Sequence, residues 1–321
     1  MKIDCKMFEE SSKSKAPKNI FAITALFACV FFISTFAESV IPTTIMLPRL
    51  AEKLQQAGYT GKIKFSVKYV EDTMNFSKEI MSNPKYFAAI LICNIFMILI
   101  SILFCKLIEK RSLKSMGFGK EKAFGHYFSG LFIGMFMMSA NVFLSVGLGV
   151  NSINLSENIN YGMLSIFFFG FLIQGAAEEV LFRGCFMNTI GGKISAVPAI
   201  LISSVAFSLA HAANGGINLL AFFNIALFGV FAGLYMILFD DIWGACAIHS
   251  TWNFFQGNVY GISVSGTDVE NSVFTLTNSK QNVILTGGSF GIEGSIFTTL
   301  ILSLATALLI FILMKKGRIK K

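Results

Sequence analysis

The sequence has few charged residues. Asp, Glu, Lys and Arg make up 14% of the 321 residues, whereas hydrophobic residues make up 54% and the mean hydropathy is +0.68. Soluble globular domains carry charge on roughly a quarter of their residues, so this composition excludes a large soluble domain. We therefore predict a membrane protein whose several spans form one bundle.

The six cysteines have no CxxC spacing. Five of them lie in or beside apolar runs, namely Cys29, Cys93, Cys105, Cys185 and Cys246. This placement argues against a disulfide framework and indicates small residues within membrane helices.

The formal net charge is +8, which in a soluble protein could indicate nucleic-acid binding. Here the basic residues cluster at the edges of apolar segments, where anionic lipid headgroups and the rules of membrane orientation account for them. We expect membrane lipid as a partner and no nucleic acid.

Long apolar runs predict an all-α, polytopic membrane protein with about eight transmembrane helices. The predicted spans are 20–41, 86–108, 127–150, 161–190, 195–214, 217–239, 242–262 and 294–314. An N-terminal tail, 1–19, precedes the helices of 20–150, which include an outer loop at 42–85. Residues 263–321 hold a second outer loop, the last span and a basic tail. The first span could instead be a signal peptide, because Thr35-Phe36-Ala37 resembles a cleavage site.

Most of the 26 basic residues fall on one side of this arrangement, and the short loops near 151–160 and 212–217 on the other side have none. The positive-inside rule then places both termini in the cytoplasm. Because Arg183 and Lys193 follow Glu178 toward that side, we expect a water-filled cavity at Glu178 to open toward the cytoplasm. The Lys and Asn usage favours a bacterial plasma membrane.

Ionisable residues within the apolar spans are the main functional signal. The chain has only three histidines, and two of them, His211 and His249, lie inside predicted spans. Glu178, Glu179 and Arg183 share the fourth span. Each such group costs on the order of 3 kcal/mol to insert, so these residues are expected to face the protein interior and to serve chemistry or transport.

The spacing within each cluster indicates which residues share a helix face. At about 100° per residue, Glu179 and Arg183 are i,i+4 neighbours in the favoured order for an ion pair. Glu178 points elsewhere, where Gln174 at i−4 can support it. His249 and Asn253 are also i,i+4 neighbours and so face one surface.

Three motifs occur in order on successive spans. They are Glu178-Glu179-Val-Leu-Phe-Arg183 (EExxxR), Phe207-Ser-Leu-Ala-His211 (FxxxH) and His249-Ser-Thr-Trp-Asn253 (HxxxN). Together they resemble the motifs of the CAAX protease and bacteriocin-processing (CPBP, or Abi) family of intramembrane proteases. The resemblance covers roughly residues 160–260. It implies a protease core within 151–262, built on four consecutive helices, and a peptide or lipidated protein as substrate.

The same residues supply the parts that peptide hydrolysis needs. Glu178 is predicted to act as general base on water with His211 beside it, while His249 and Asn253 stabilise the oxyanion. Glu179 and Arg183 are predicted to play a supporting, structural role. This assignment agrees with the glutamate-type mechanism that the resemblance implies. The resemblance also implies two possible tasks: processing of CAAX tails, or peptide maturation and bacteriocin self-immunity.

Three alternatives use the same residues. The first alternative is a catalytic zinc site, whose ligand types match Glu178, Glu179, His211 and His249. The helical HExxH signature is absent, so we expect no cofactor and keep zinc as the alternative. An ion-coupled transporter would use the carboxylate and the histidines as a proton relay, but we find no internal repeat. A non-catalytic immunity protein would keep the fold without turnover.

Overall fold

The computed structural model describes residues 2–60, 66–81 and 83–320. Helices dominate the described chain. The α-helices are α1 (Lys6–Ser12), α2 (Ile20–Gln56), α3 (Val67–Met81), α4 (Pro84–Cys93), α5 (Ile95–Leu103), α6 (Ala123–Gly147), α7 (Tyr161–Glu179), α8 (Asn188–Gly191), α9 (Ala196–Ala210), α10 (Leu219–Phe239), α11 (Trp243–Phe254), α12 (Val283–Thr286) and α13 (Ile296–Lys315). The strands are β1 (Lys2–Ile3), β2 (Asn151–Leu155), β3 (Phe274–Asn278) and β4 (Ile319–Lys320). The fold is thus all-α, as predicted.

Three π-helical segments continue α-helices without a break. They are Phe104–Ile108 after α5, Val180–Met187 after α7, and Phe255–Val259 after α11. Short 3-10 turns lie at Leu113–Met116, Gly288–Phe290 and Ile292–Gly294. Such π segments often occur at functional sites. Val180–Met187 contains the motif residue Arg183, and Phe255–Val259 begins two residues after Asn253.

Within the described residues, six helices are long and apolar enough to cross a membrane. They are Ile20–Gln56, Pro84–Ile108, Ala123–Gly147, Tyr161–Gly191, Leu219–Phe239 and Ile296–Lys315. The other two predicted spans, 195–214 and 242–262, correspond to shorter helices, Ala196–Ala210 and α11 with its π segment. A helix of 15 residues is about 22 Å long, less than the roughly 30 Å hydrocarbon core. The chain is an integral, polytopic membrane protein.

The predicted outer loop 42–85 is largely helical. The first helix does not end near residue 41 but runs on through Pro42 and Pro48 to Gln56, and α3 follows it. An interior proline removes one hydrogen bond and its ring clashes with the carbonyl four residues earlier, which can bend a long helix without ending it. Lys53 on α2 donates to Glu79 on α3 at 2.8 Å, which joins the two helices. Residues 61–65 and 82 of this segment lie outside the described residues.

Both chain termini lie at the same end of the bundle. Strands β1 and β4 pair antiparallel, with Ile3 opposite Ile319. Beside them, Arg318 forms an ion pair with Asp240 and donates to the Ile237 carbonyl at 3.1 Å. At the opposite end, β2 pairs with β3, so the segment before α7 is tied to the segment before α13.

Helix α11 lies in the middle of the bundle, between α6 and α7, because glycines allow close approach. A Cβ at Gly134 would lie 2.3 Å from the Ile248 carbonyl oxygen, and a Cβ at Gly175 would lie 2.6 Å from the Ser250 nitrogen. Real side chains do not tolerate such contacts, so only glycine fits at these crossings. The close packing buries His249 and brings it beside the end of α7.

Candidate active site

The two motif carboxylates occupy the junction where α7 becomes π-helical. Glu178 and Glu179 are the last residues of α7, and Arg183 lies within Val180–Met187. Arg183 Nη1 donates to Glu179 Oε1 at 3.0 Å, and both side chains are fully buried. This is the ion pair that the i,i+4 spacing predicts.

The Arg183 guanidinium also contacts the aromatic residue of the FxxxH motif. Its Cζ atom lies 4.2 Å from the centre of the Phe207 ring, a cation–π geometry. Nε and Nη2 of Arg183 are buried without a hydrogen-bond partner. The charge is therefore balanced mainly by Glu179, and loss of that carboxylate would leave an uncompensated buried cation.

Glu179 has a second contact, which the sequence analysis did not predict. Its Oε1 atom lies 2.8 Å from His249 Nδ1 on α11. A carboxylate can only accept, so His249 Nδ1 carries the hydrogen and the ring is oriented with Nε2 toward Glu178. The distance from His249 Nε2 to Glu178 Oε2 is 3.6 Å.

His211 immediately follows α9 and is oriented in a similar way. Its Nδ1 atom lies 2.9 Å from the Phe207 carbonyl oxygen, which must accept, so Nδ1 again carries the hydrogen. The His211 ring packs on Phe207 at 4.8 Å between centres, as the FxxxH spacing predicts. Its Nε2 atom is 3.9 Å from Glu178 Oε2.

Three polar atoms thus converge on one point between α7, α9 and α11. They are Oε2 of Glu178 and the Nε2 atoms of the two histidines, and among the described residues Glu178 Oε2 is buried without a hydrogen-bond partner. A carboxylate oxygen accepts hydrogen bonds, whereas Nε2 accepts in a neutral imidazole and donates in an imidazolium. The arrangement suits a water molecule that donates to Glu178 Oε2 and to a neutral His211, with His249 as a donor in its imidazolium form.

Asn253 joins this group through Gln174. Asn253 Nδ2 donates to Gln174 Oε1 at 2.9 Å, and Gln174 Nε2 donates to Glu178 Oε1 at 2.7 Å. The predicted support of Glu178 by Gln174 is therefore present. An amide group has two N–H donors, so Asn253 keeps one for a substrate oxygen.

A cavity of about 20 Å³, enough space for about one water molecule, adjoins these residues. His211, His249 and Asn253 line one part of its wall, and Trp252, Ser265 and Glu293 line another. The last two belong to the segment between α11 and α13, at the end of the bundle away from both termini. This position contradicts the expectation of a cavity that opens on the side of the termini.

That expectation used the direction of the chain from Glu178 to Arg183 and Lys193. Arg183 is completely buried and paired with Glu179, so its charge marks neither the membrane surface nor the side on which a cavity opens. Glu293 is a cavity residue that the sequence analysis missed. It is the acidic residue directly before the last span, and its position there is the only sequence signal that could have identified it.

The four residues of the zinc alternative do not form one ligand set. Oε1 of Glu179 is directed to Arg183 and to His249 Nδ1, away from the point where Glu178 and the two Nε2 atoms meet. Over residues 2–60, 66–81 and 83–320, no group of three or more His, Cys, Asp or Glu side chains has an arrangement that could hold a metal ion. Glu179 therefore does not join Glu178, His211 and His249 in the four-residue ligand set of the zinc alternative.

The fold and the site define a polytopic helical membrane protein with a carboxylate and two histidines grouped inside its bundle. Residues 160–255 match the family model described as type II CAAX prenyl endopeptidase Rce1-like. The match confirms the resemblance to the CPBP family over this segment, which contains all three motifs. Comparison with curated proteins gives no match, and comparison with solved structures gives none either. Because the matched family consists of endopeptidases, the match supports peptidase activity in a membrane protein.

Proposed function

We propose that the chain hydrolyses a peptide bond of a membrane-associated protein or peptide, with Glu178 as the general base. The observation that carries this proposal is the convergence of Glu178 Oε2 with His211 Nε2 at 3.9 Å and His249 Nε2 at 3.6 Å beside a cavity. The proposed protease core is 151–262.

The proposed chemistry begins with a water molecule between Glu178 Oε2 and His211 Nε2. Glu178 takes a proton from this water while the water oxygen bonds to the substrate carbonyl carbon. When the tetrahedral intermediate collapses, the carbon–nitrogen bond breaks and Glu178 returns the proton to the departing amine. The products are a new carboxylate and a new amine.

The developing oxyanion needs hydrogen-bond donors. Asn253 supplies the N–H that Gln174 does not use, and His249 supplies Nε2–H in its imidazolium form. Glu179, 2.8 Å from His249 Nδ1, stabilises that imidazolium, as a buried carboxylate does in other hydrolytic triads. Glu179 and Arg183 therefore belong to the site as positioning residues.

We propose two tasks for this hydrolysis. One is processing of CAAX-type tails, and the other is maturation of other membrane peptides, including self-immunity against bacteriocins. We also propose a bacterial plasma membrane with both termini in the cytoplasm. The pairing of β1 with β4 supports one shared side for the termini. The cavity then lies toward the outer leaflet.

The test is proteolysis of a labelled peptide library by purified protein in nanodiscs. We expect Glu178→Gln to reduce the rate by about 10² to 10⁴-fold, the usual cost of losing a general base, without a change in yield. The matched control is Glu157→Gln, which changes an exposed carboxylate outside the cavity. A Glu178→Gln variant that keeps more than about a tenth of the wild-type rate would refute the base assignment. A wild-type protein that binds library peptides but never cleaves them would indicate the non-catalytic alternative.

A further inference from the structure

Glu293 places a carboxylate in the wall of the cavity that adjoins the candidate active site. It lies in the 3-10 turn Ile292–Gly294, just before α13, and its side chain is only partly buried. The same cavity is lined by His211, His249 and Asn253. A substrate that reaches the site would therefore pass Glu293.

Neutral donors hold this carboxylate in place. Trp252 Nε1 donates to Oε1 at 3.3 Å, and the backbone nitrogen and the hydroxyl of Ser265 donate to Oε2 at 2.8 and 3.0 Å. These three hydrogen bonds fix the position of both carboxylate oxygens. Two carboxylate oxygens accept up to about four such bonds, so the group can take a further donor.

Among the residues that the structure describes, no cation forms an ion pair with Glu293 within 4.0 Å. The buried cation nearest to the active-site motifs, Arg183, is already paired with Glu179. The remaining cavity wall is largely apolar, with Phe228 and Leu302 among its residues. A fixed negative charge in such surroundings attracts a cation strongly, because water screens it poorly.

We propose that Glu293 is a specificity-determining residue that binds a cationic amine of the peptide substrate. This inference rests on the proposed function, since it names the substrate class of the same site. The amine can be a lysine side chain close to the scissile bond or a free amino terminus. A substrate whose free C-terminal carboxylate must enter this part of the cavity would be repelled by Glu293.

The experiment compares matched peptides that differ in one group. The first pair has lysine or its uncharged isostere norleucine near the scissile bond, and the second has a free or an acetylated amino terminus. For the wild-type protein we expect kcat/KM to be at least about tenfold higher for the charged member of one pair, and that pair identifies the source of the amine.

The variant Glu293→Gln should bring this ratio close to unity. Glutamine keeps the size of the side chain and an oxygen that accepts from Trp252, so the fold should be retained, as thermal melting will show. The control is Glu270→Gln, an exposed carboxylate in the same segment, which should leave the ratio as in the wild type. Because the wild-type comparison needs no variant, it decides the proposal even if Glu293→Gln is poorly folded.

Equilibrium binding of the same fluorescent peptides to Glu178→Gln separates this proposal from the hydrolysis it rests on. Cleavage with no preference for either charged peptide would overturn the role of Glu293 and leave hydrolysis intact. Binding that prefers the charged peptide, without cleavage by the wild-type protein, would uphold Glu293 and overturn hydrolysis. Equal binding of all peptides without cleavage would overturn both.

Discussion

Glu179 has two partners, Arg183 and His249, which give it a structural role and a proposed catalytic role. Glu179 Oε1 accepts from Arg183 Nη1 at 3.0 Å and from His249 Nδ1 at 2.8 Å, so one atom serves two functions. Glu179→Gln removes the charge that balances Arg183 and the charge that stabilises a His249 imidazolium. We expect the single variant to lose both stability and activity.

The magnitude follows from burial, because both side chains of the ion pair are fully inaccessible. An uncompensated buried charge costs roughly 3–5 kcal/mol. In a chain of 321 residues, this corresponds to a fall in Tm on the order of 5 °C. The expected loss in kcat is about 10² to 10⁴-fold, as when the carboxylate that orients a catalytic histidine is made neutral.

The double variant Glu179→Gln/Arg183→Gln distinguishes the two roles. It removes both charges and leaves two amides that can hydrogen bond, so most of the lost stability should return. Activity should not return, because His249 still lacks an anionic partner. The assays are thermal melting followed by tryptophan fluorescence, and peptide cleavage by the same preparations. Recovery of activity together with stability would refute the role of Glu179 in orienting His249.

Two further predictions concern packing and metal. Gly175→Ala should lower Tm and yield, because its Cβ would lie 2.6 Å from the Ser250 nitrogen. The control is Gly147→Ala, where a Cβ meets nothing within 4 Å, and it should leave Tm unchanged in the same melting assay. Chelator treatment of the purified protein should leave peptide cleavage unchanged, because the proposed hydrolysis uses Glu178 as general base and needs no metal. Activity that is lost and then restored by added zinc would contradict this expectation.

Part of this structure could be predicted because it depends on local spacing and apolar length. The eight predicted spans all correspond to helices, since a membrane imposes long apolar runs. The pairs Glu179–Arg183 and Gln174–Glu178 form at i,i+4 as the helix period requires. Even the change from α- to π-helix after Glu179 does not break the first pair.

The rest depends on how separate helices meet, which spacing along one helix does not determine. The contact of Glu179 with His249 joins α7 to α11, and Glu293 reaches the site only because its segment folds over the end of the bundle. The first span was predicted to end near residue 41, whereas α2 continues through Pro42 and Pro48 to Gln56. The predicted side of the cavity was wrong because the order of Glu178, Arg183 and Lys193 along the chain does not determine where the packed helices leave a cavity.

The central claim is that water activated by Glu178 cleaves a peptide bond inside the bundle. The most direct measurement is mass spectrometry of peptide products formed in water enriched in oxygen-18. We predict that the wild-type protein produces a new C-terminal carboxylate that carries one heavy oxygen, and that Glu178→Gln forms this product about 10² to 10⁴-fold more slowly. A wild-type protein that yields no cleavage product, or a Glu178→Gln variant that yields the labelled product at more than about a tenth of the wild-type rate, would contradict the claim.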